Sequence, residues 1–464
     1  MAFIIPQRSL AQLSIDNSTS AAMGSTGAAF TNGFPALGIN PARLTHFEHP
    51  DRRLRGTVAF APFGVSASSN ALSISLYNLI FGTEGKVFTE AQKQEIFNSF
   101  ADVTRASNET AVTSLGISLN YADLGIGSFA FSIRDDAGAN FGLNKDYLAL
   151  LLFGNESFAG RRMQISDTQA DAWWNRSYTV SFARFTPEPR FAKGIKKFAV
   201  GASVRLVHSF GYAGTERNSS KVFTSLSGDS VSVEANYRLL SSVSENFQSE
   251  QSFTPLASPA GTGFGADVGI SGEFDKGIAF GAALCDLGAV HYTADATIKE
   301  RNGLITFTGF NDLLTDGKVQ AQLDSLRGLI EESSRKESFT VGLPARFRFG
   351  VAVRFDEWLE QSVPVAVSLD YVQGFNEVYG NSLAPLVGVG FESRHWPGVP
   401  LRTGLRFGGA QGFGWSLGVG LDTPYFAADF STRNVESIFR GQSATAISFG
   451  LSMRLRFDRL REVD

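Results

Sequence analysis

The chain has 464 residues, a formal net charge of −4 and an unusual abundance of glycine and phenylalanine, with 48 and 41 residues. Its mean hydropathy is −0.02, and it lacks the run of about 18 apolar residues that a helical membrane protein needs, which excludes that class. The slight negative charge and the spread of the 41 basic residues along the chain argue against nucleic-acid binding. The single cysteine, Cys285, excludes an intrachain disulfide.

The first twelve residues contain only part of a secretion leader. A three-residue apolar run at positions 3–5 ends at Pro6, whereas a signal peptide carries about 7–15 apolar residues. We therefore expect either a truncated leader or a misplaced start codon, with the mature protein beginning near Gln12 and the missing apolar segment encoded upstream.

Residues 13–49 differ from the rest of the chain because small residues dominate them, as in positions 21–24 and 27–29. If the strands predicted below for the rest of the chain close into a barrel, compact glycine-rich backbone fits inside it. We therefore predict that this segment folds into the lumen as a plug or hatch. A flexible periplasmic arm is the alternative interpretation, and we favour the plug. The candidate plug residues are Asn40, Pro41, Ala42, His46 and His49.

From position 58 onward, short segments alternate strictly between apolar and small or polar residues, which is typical of strands with two different faces. Fifteen segments show this pattern: 58–67, 117–121, 129–133, 178–185, 198–210, 231–239, 264–274, 278–284, 347–355, 365–371, 387–391, 401–407, 413–421, 426–430 and 446–457. An even strand number is usual in bacterial barrels. Adding 221–226 gives sixteen, and fourteen results if two short segments are loop strands.

The last segment shows the pattern most clearly. One face carries Ile447, Phe449, Leu451, Met453, Leu455 and Phe457, and the other carries small residues, serines and two arginines. About 9–11 residues cross a bilayer as a tilted strand. We therefore predict an all-β fold, a transmembrane antiparallel up-and-down β-barrel of 14–16 strands over residues 50–457. Its last strand should pair with the first near Val58, and residues 458–464 would follow as a charged tail.

Connections between the predicted strands are of two kinds. Positions 275–277 and 422–424 have the composition of tight turns, whereas long insertions contain helical patterns. Thr89 with Gln92 begins a helix over 89–100, and Asn144 caps a helix over 145–153. A third helical stripe consists of Val319, Leu323, Leu326 and Ile330. We expect these helices at the extracellular rim, packed against the barrel mouth rather than against a partner.

The sequence offers little support for catalysis, a metal or a cofactor. Residues 414–418 match the Gly-x-Ser-x-Gly motif, but that motif works only at a turn from strand to helix. Here it lies inside an alternating segment, which argues against a hydrolase. The five histidines have neither metal-site nor catalytic-relay spacing. We therefore predict that the protein is not an enzyme and has neither a metal site nor a cofactor.

Many charged residues fall on the predicted inward face of the strands. They are Arg205, Glu234, Asp267, Glu273, Arg348, Arg354, Asp370, Glu392, Arg402, Arg406, Arg454 and Arg456. Charges inside a barrel either pair across the lumen or line a wet path for a polar solute. Because both signs are present and a plug is predicted, we favour structural pairs.

Several motifs carry a resemblance to a known group of proteins. Residues 38–44, which contain Asn40-Pro41-Ala42, resemble the N-terminal Asn-Pro-Ala signature of the long-chain fatty-acid transporter superfamily. Further motifs at 152–160, 285–288, 308–314, 323–326 and 338–344 resemble an uncharacterised Bacteroidota-type family of outer-membrane barrels within it. The resemblance implies a Gram-negative outer-membrane location and an N-terminal hatch containing Asn40, Pro41 and Ala42. It implies neither a reaction nor ligand residues.

Two functional hypotheses follow. The first is a monomeric outer-membrane channel or transporter for small hydrophobic molecules, gated by the plug, with membrane lipid and a small hydrophobic ligand as its partners. The second is an accessory or scaffold barrel that binds a secretion or envelope protein through its extracellular loops, as the resemblance to type IX secretion shuttle barrels implies. A soluble β-sandwich array is a third, weaker possibility.

Overall fold

A computed structural model describes residues 17–49, 54–82, 87–187, 194–228, 230–245, 258–308, 334–360 and 364–457. The strands in these residues are β1 (Gly56–Ser69), β2 (Val103–Tyr121), β3 (Gly127–Asn144), β4 (Arg162–Gln164), β5 (Gln169–Thr186), β6 (Ile195–Asn218), β7 (Lys221–Thr224), β8 (Ser230–Val243), β9 (Gly261–Phe274), β10 (Ile278–Tyr292), β11 (Thr297–Thr308), β12 (Ser334–Lys336), β13 (Phe339–Gly342), β14 (Arg346–Arg354), β15 (Val365–Gly374), β16 (Leu386–Trp396), β17 (Val399–Gly408), β18 (Gly414–Asp422), β19 (Phe426–Thr432) and β20 (Ala446–Phe457). The α-helices are α1 (Ser18–Ala22), α2 (Ile74–Phe81), α3 (Glu90–Ser99), α4 (Lys145–Phe153), α5 (Phe355–Trp358) and α6 (Glu436–Arg440).

Fourteen of the described strands close into one antiparallel wall. Around the barrel their order is β1, β2, β3, β5, β6, β9, β10, β14, β15, β16, β17, β18, β19 and β20. The last strand pairs with the first, with Val58 opposite Leu455 and Gly56 opposite Phe457. This pairing confirms the predicted barrel and its seam, and the strand count is the lower of the two predicted limits.

Burial in the wall is the reverse of burial in a soluble protein. On β20 the apolar side chains of Ile447, Leu455 and Phe457 are between 43% and 70% exposed. Ser452 and Arg454, on the opposite face of the same strand, are buried. Apolar side chains outside and polar side chains inside are what a membrane barrel requires, because its outer face contacts lipid.

No helix among the described residues has the length and apolar character needed to cross a membrane.

Two predicted wall strands belong instead to a hairpin outside the wall. Strands β7 and β8 pair with each other, and β8 also pairs with β11 and with the last eight residues of β6. The first part of β6 pairs with β9 in the wall. At 24 residues, β6 is much longer than a membrane span of about 9–11 residues, so its excess length extends beyond the bilayer. The prediction of sixteen wall strands was therefore wrong, and the alternative of fourteen is correct.

The connections define the two ends of the barrel. Short connections lie at one end, the short-turn end, and include residues 275–277 and 423–425. The other end, the long-loop end, carries the connection between β1 and β2 and the loop of residues 375–385 between β15 and β16. The two predicted tight turns both lie at the short-turn end.

Two of the three predicted loop helices are present. Thr89 and Gln92 form the predicted capping box of α3, and Asn144 caps α4, which ends at Gly154 with φ 72°. They share a small apolar core with α2 that includes Leu76 and Ile96, so they pack largely on one another. The third predicted helix, at 319–330, lies outside the described residues.

Candidate functional site in the barrel lumen

The N-terminal segment, residues 17–49, is largely buried and packs on inward-facing residues of the wall. Its Asn40-Pro41-Ala42 motif forms the start of a 3-10 turn, Pro41–Thr45. Asn40 Oδ1 accepts a hydrogen bond from the backbone N–H of Ala42 at 3.1 Å. Its Nδ2 donates to the carbonyl of Ala28 at 2.8 Å and to that of Ile270 on β9 at 3.0 Å. Asn40 therefore joins two parts of the segment to the wall.

Glycines in the wall allow the backbone of the N-terminal segment to approach closely. A Cβ atom at Gly281 would lie 1.9 Å from the carbonyl oxygen of Ala28, and one at Gly269 would lie 2.1 Å from Asn40 Oδ1. A Cβ atom at Gly404 would lie 2.3 Å from the backbone nitrogen of Gly24. Any side chain at these three wall positions would displace the segment, so part of the glycine abundance has a packing explanation.

A closed ring of alternating charges holds one end of the segment. Its members, in order of contact, are Glu48, Arg454, Asp429, Arg402, Glu392, Arg394, Asp422 and Arg456, which returns to Glu48. The contacts between neighbours range from 2.6 Å to 3.3 Å. Seven members belong to wall strands β16 to β20, and Glu48 alone comes from the segment. The ring therefore needs the segment for its charge balance.

A second charged cluster holds the same segment, on wall strands β6 and β9. Glu273 on β9 contacts Arg43 at 3.3 Å, His46 at 3.0 Å and Lys197 at 2.8 Å. Burial, reinforced by the Arg43 charge, lowers the pKa of His46 to about 4. Burial also lowers the pKa of Arg43 to about 10. At neutral pH His46 is therefore neutral and Arg43 is charged.

A third contact involves Asp370 on β15. Its Oδ2 accepts the backbone N–H groups of Gly27 and Ala28 at 2.9 Å and 2.8 Å. The buried Arg348 lies on the neighbouring strand β14, and its positive charge interacts electrostatically with the Asp370 carboxylate. The segment thus supplies neutral donors to a buried carboxylate.

Two other predicted inward charges, Arg205 and Asp267, form a further group with Asp286 and Arg346. Arg205 contacts both Asp267 and Asp286, and Arg346 contacts Asp286 at 2.8 Å. Arg406 is buried, and its Nη2 donates to Gln411 at 2.9 Å. Most of the predicted inward charges therefore lie in paired clusters.

The three remaining predicted site residues, Glu234, Arg354 and His49, lie in three different places. Glu234 is exposed on β8, outside the wall, so its prediction as a lumen residue was wrong. The alternating pattern continues into the hairpin outside the wall, and for that reason Glu234 was wrongly assigned to the inward face. Arg354 lies at the end of β14 and contacts Glu357 at 2.9 Å at the short-turn end. His49 is buried and lines a small cavity together with His46.

A cavity of about 180 Å³ lies in the lumen between the N-terminal segment and the loop of residues 375–385. Phe34, Pro35 and Leu37 line it from the segment, and Tyr379 and Asn381 line it from the loop. The wall contributes a mixed lining: Glu109, Thr113, Ser132, Asp136, Thr179, Arg205, Val207, Arg346, Val372, Leu386 and Arg406. The cavity therefore offers both apolar and polar contacts to a small molecule.

The loop on the long-loop side is anchored within the barrel mouth. The Tyr379 hydroxyl lies 2.8 Å from that of Tyr292 on β10. Asn381 Nδ2 donates to the carbonyl of Ala345 at 3.0 Å, and Asn376 Nδ2 donates to that of Leu343 at 2.7 Å. Burial raises the pKa of Tyr379. Sequence reasoning missed this loop because its Asn, Ser and Gly residues are those of an ordinary turn.

The wall beside the cavity is interrupted between β1 and β2. Their pairing runs up to Ala59 and resumes at Phe63. Ala61 has φ 39°, in the left-handed region, and Pro62 has no N–H to donate. Pro62 and Thr113, on the two sides of the interruption, both line the cavity. The signal for this feature was Pro62 inside an otherwise alternating segment, since proline in a strand marks an irregularity.

The described residues do not form a recognisable catalytic or metal site. Ser416 of the Gly-x-Ser-x-Gly motif is buried within β18, away from any strand-to-helix turn. No group of three or more His, Cys, Asp or Glu side chains in the described ranges could hold a metal ion. Cys285 is buried, and its Sγ lies 3.3 Å from the carbonyl oxygen of Ile39.

The closed wall, its apolar outer face and its occupied lumen define a transmembrane barrel of the outer-membrane kind. The chain belongs to a family described as "Family of unknown function (DUF5723)", whose profile matches residues 50–429. No match was found among curated protein sequences.

Several solved structures are similar to the chain at low sequence identity. A TodX deltaS2S3 mutant monoaromatic hydrocarbon channel has a TM-score of 0.50 and 12% identity, covering 95% of this chain and 98% of that chain. The toluene transporter TodX of P. putida has a TM-score of 0.44 and 12% identity, with coverages of 97% and 99%. A FadL homologue of Pseudomonas aeruginosa has a TM-score of 0.47 and 12% identity, with coverages of 98% and 100%. The first likeness shows a common barrel fold.

Proposed function

We propose that this protein is a channel of the Gram-negative outer membrane for small, predominantly apolar molecules, with the N-terminal segment as its plug. The observation that carries the proposal is the position of the cavity: it lies between the plug and the 375–385 loop and reaches the interrupted β1–β2 pairing. A molecule in the cavity would thus be beside the wall rather than on a straight aqueous path. Solved barrels of similar fold include a monoaromatic hydrocarbon channel, which supports this ligand class.

The charge distribution supports an apolar cargo. Charged side chains of the cavity lining are paired with one another: Arg205 and Arg346 contact Asp286, and Arg134 contacts Asp136 at 3.3 Å. Paired charges do not attract a free ion strongly, because each field is cancelled nearby. Phe34, Leu37, Val372 and other apolar side chains of the cavity remain available for contact with a ligand.

Filling the cavity tests the proposal. Ser132 is a small buried residue of the cavity lining, so Ser132→Trp should occupy the space that a ligand would need. Ser232→Trp, on β8 outside the wall, is the matched control. We expect radiolabelled toluene to enter Gram-negative cells expressing the wild type or Ser232→Trp faster than cells with an empty vector. Cells expressing Ser132→Trp should take it up at the empty-vector rate.

Two results would count against the proposal. One is toluene uptake that Ser132→Trp leaves unchanged although the protein reaches the membrane in equal amount. The other is rapid swelling of vesicles in a small sugar, which would indicate an open aqueous pore. A sealed barrel that binds a secretion or envelope protein through its long loops would favour the accessory role instead.

A further inference from the structure

Helix α2, in the connection between β1 and β2, has apolar residues on two faces. Its inner face carries Leu76, which is buried in the small core shared with α3 and α4. Its other face carries Ile74, Tyr77 and Phe81, which are 47%, 54% and 62% exposed. Because residues three and four apart lie on one side of a helix, these three form a single exposed stripe.

Helix α6, in the connection between β19 and β20, folds over the outer face of the wall. Its Phe439 ring stacks on Trp415 with an interplanar angle of 5° and a centroid distance of 6.1 Å. Trp415 shares a face of β18 with the exposed residues Leu417, Val419 and Leu421, so that ring points out of the barrel. The helix therefore descends along the lipid-facing side of the barrel mouth instead of covering the lumen.

The two helices are joined to the seam of the wall. The backbone N–H of Ile74 donates to the carbonyl of Ala444 at 3.1 Å, just before β20 begins. Ile447, the first outward residue on β20 after this contact, is 70% exposed. The exposed apolar side chains of α2 and α6 therefore adjoin the apolar outer face that the bilayer covers.

We propose that these side chains, Ile74, Tyr77, Phe81, Ile438 and Phe439, form a rim patch that lies in the boundary of the outer leaflet and contacts lipid acyl chains. The patch extends the membrane contact of the barrel above the β1–β20 seam. Aromatic and apolar side chains at this depth anchor a protein in the interface.

Charge supports lipid rather than water as the neighbour of α2. Its eight residues include no charged side chain. Helix α3, which packs beside it, carries Glu90 and Glu95 on exposed positions and a half-buried Lys93, as expected for a helix that faces water. Two neighbouring helices of the same loop thus differ in polarity, as expected if one faces the bilayer and the other faces water.

Nitroxide accessibility in reconstituted vesicles tests the rim patch. Single cysteines would replace Phe81 and Phe439 in a Cys285→Ser background. Val419→Cys, in the exposed middle of β18, reports on lipid, and Gln94→Cys, on the exposed face of α3, reports on water. Apolar oxygen concentrates in the bilayer, whereas a water-soluble nickel chelate is excluded from it. We expect labels at Phe81 and Phe439 to collide more often with oxygen than with nickel, as at Val419, and the ratio to reverse at Gln94.

Either of two other results would overturn the proposal. Labels at Phe81 and Phe439 that collide with nickel as readily as the Gln94 label would place the patch in water. Labels shielded from both reagents would place it under protein, either a second copy of this chain or a bound partner. The result does not depend on transport, so a barrel that fails to admit toluene can still place these helices in the membrane.

Discussion

At the residue scale, Glu48 is the most informative position in the lumen. Its carboxylate contacts Arg454 at 3.3 Å and Arg456 at 3.2 Å, and its side chain is only 6% exposed. Its Oε1 also accepts the backbone N–H of Phe34 at 3.0 Å. The alternation in β20 predicts both arginines on the inward face, and both are buried. It does not single out Glu48, because Glu48 lies outside any strand.

Neutralising Glu48 should loosen the N-terminal segment. Glu48→Gln keeps the shape but removes the charge between two buried arginines, so we expect the segment to be less stable by about 2 kcal/mol. Trypsin cleavage after Arg43, which is 3% exposed in the native protein, reports its release. The midpoint of cleavage in a urea series, followed by mass spectrometry, should fall.

The control for this variant is Glu90→Gln, which removes an exposed carboxylate paired with Lys93 on α3. Its midpoint should remain that of the wild type, since exposed pairs contribute little. Equal midpoints for Glu48→Gln and the wild type would mean that the ring does not hold the segment.

The buried His46 should make the stability of the protein depend on pH. Its folded pKa, about 4, lies below the unfolded value of 6.5. The unfolded chain therefore binds the proton first, and stability present above pH 6.5 is lost as pH falls from 6.5 towards 4. The loss from this residue has an upper limit of roughly 3 kcal/mol.

Urea unfolding of the reconstituted barrel at pH 7 and pH 4.5 measures this contribution. His46→Gln should lose less stability between the two pH values than the wild type does. His291→Gln, at an exposed position on β10, should behave as the wild type. An identical loss in all three proteins would show that His46 does not titrate in this range.

At the element scale, the wall strands carry features that only their partners explain. Gly201, Gly269 and Gly281 each face backbone or side-chain atoms of the N-terminal segment. The interruption in β1 places Pro62 beside the cavity. The glycines reduce side-chain packing, and they lie where the segment meets the wall. The interruption breaks regular strand pairing, and it lies where the cavity meets the wall.

A side chain at Gly281 should displace the N-terminal segment while leaving the wall closed. Gly281→Leu would place its Cβ 1.9 Å from the Ala28 carbonyl oxygen, so the segment must move. If the segment is a plug, single-channel conductance in planar bilayers should rise above that of the wild type. Trypsin should also cleave after Arg43 more readily.

Gly303→Leu, on loop strand β11, provides the comparison because no atom lies within 4 Å of its added Cβ. That variant should keep the wild-type conductance. An unchanged conductance in Gly281→Leu, together with normal protection of Arg43, would show that the wall strand moves to accommodate the leucine and that the segment stays in place.

At the scale of the whole molecule, closure at the seam determines stability. β20 pairs with β1 on one side and with β19 on the other. Without it, two strand edges would expose unpaired N–H and C=O groups to lipid, each at a cost of several kcal/mol. The barrel therefore depends on its last strand more than on any loop.

Deleting residues 446–457 should abolish the folded barrel. The wild type should migrate faster in unheated than in boiled detergent gels, as a closed wall resists detergent. The deletion should give one band under both conditions. A chain ending at Phe457 should keep the shift, and a shifted band in the 446–457 deletion would contradict the role of the seam.

Long-range assembly also limited what could be predicted from residues alone. The capping box at Thr89 and the cap at Asn144 were predicted correctly because each depends on residues within one helical turn. The predicted strands 221–226 and 231–239, which form β7 and β8, were misplaced in the wall because alternation does not reveal which strand is the neighbour. The Asn40-Pro41-Ala42 motif was visible, but its hydrogen bond to Ile270 joins residues 230 positions apart.

The membrane barrel was predictable from the amino-acid sequence, because the period of two and the two contrasting faces are local properties of each strand. Ala446–Phe457 even identified the seam. Three features became visible only in the folded chain: fourteen strands form the wall, Glu48 completes a ring of charges, and a cavity lies between the N-terminal segment and Tyr379. Those features depend on closing the wall, which brings together residues that are hundreds of positions apart.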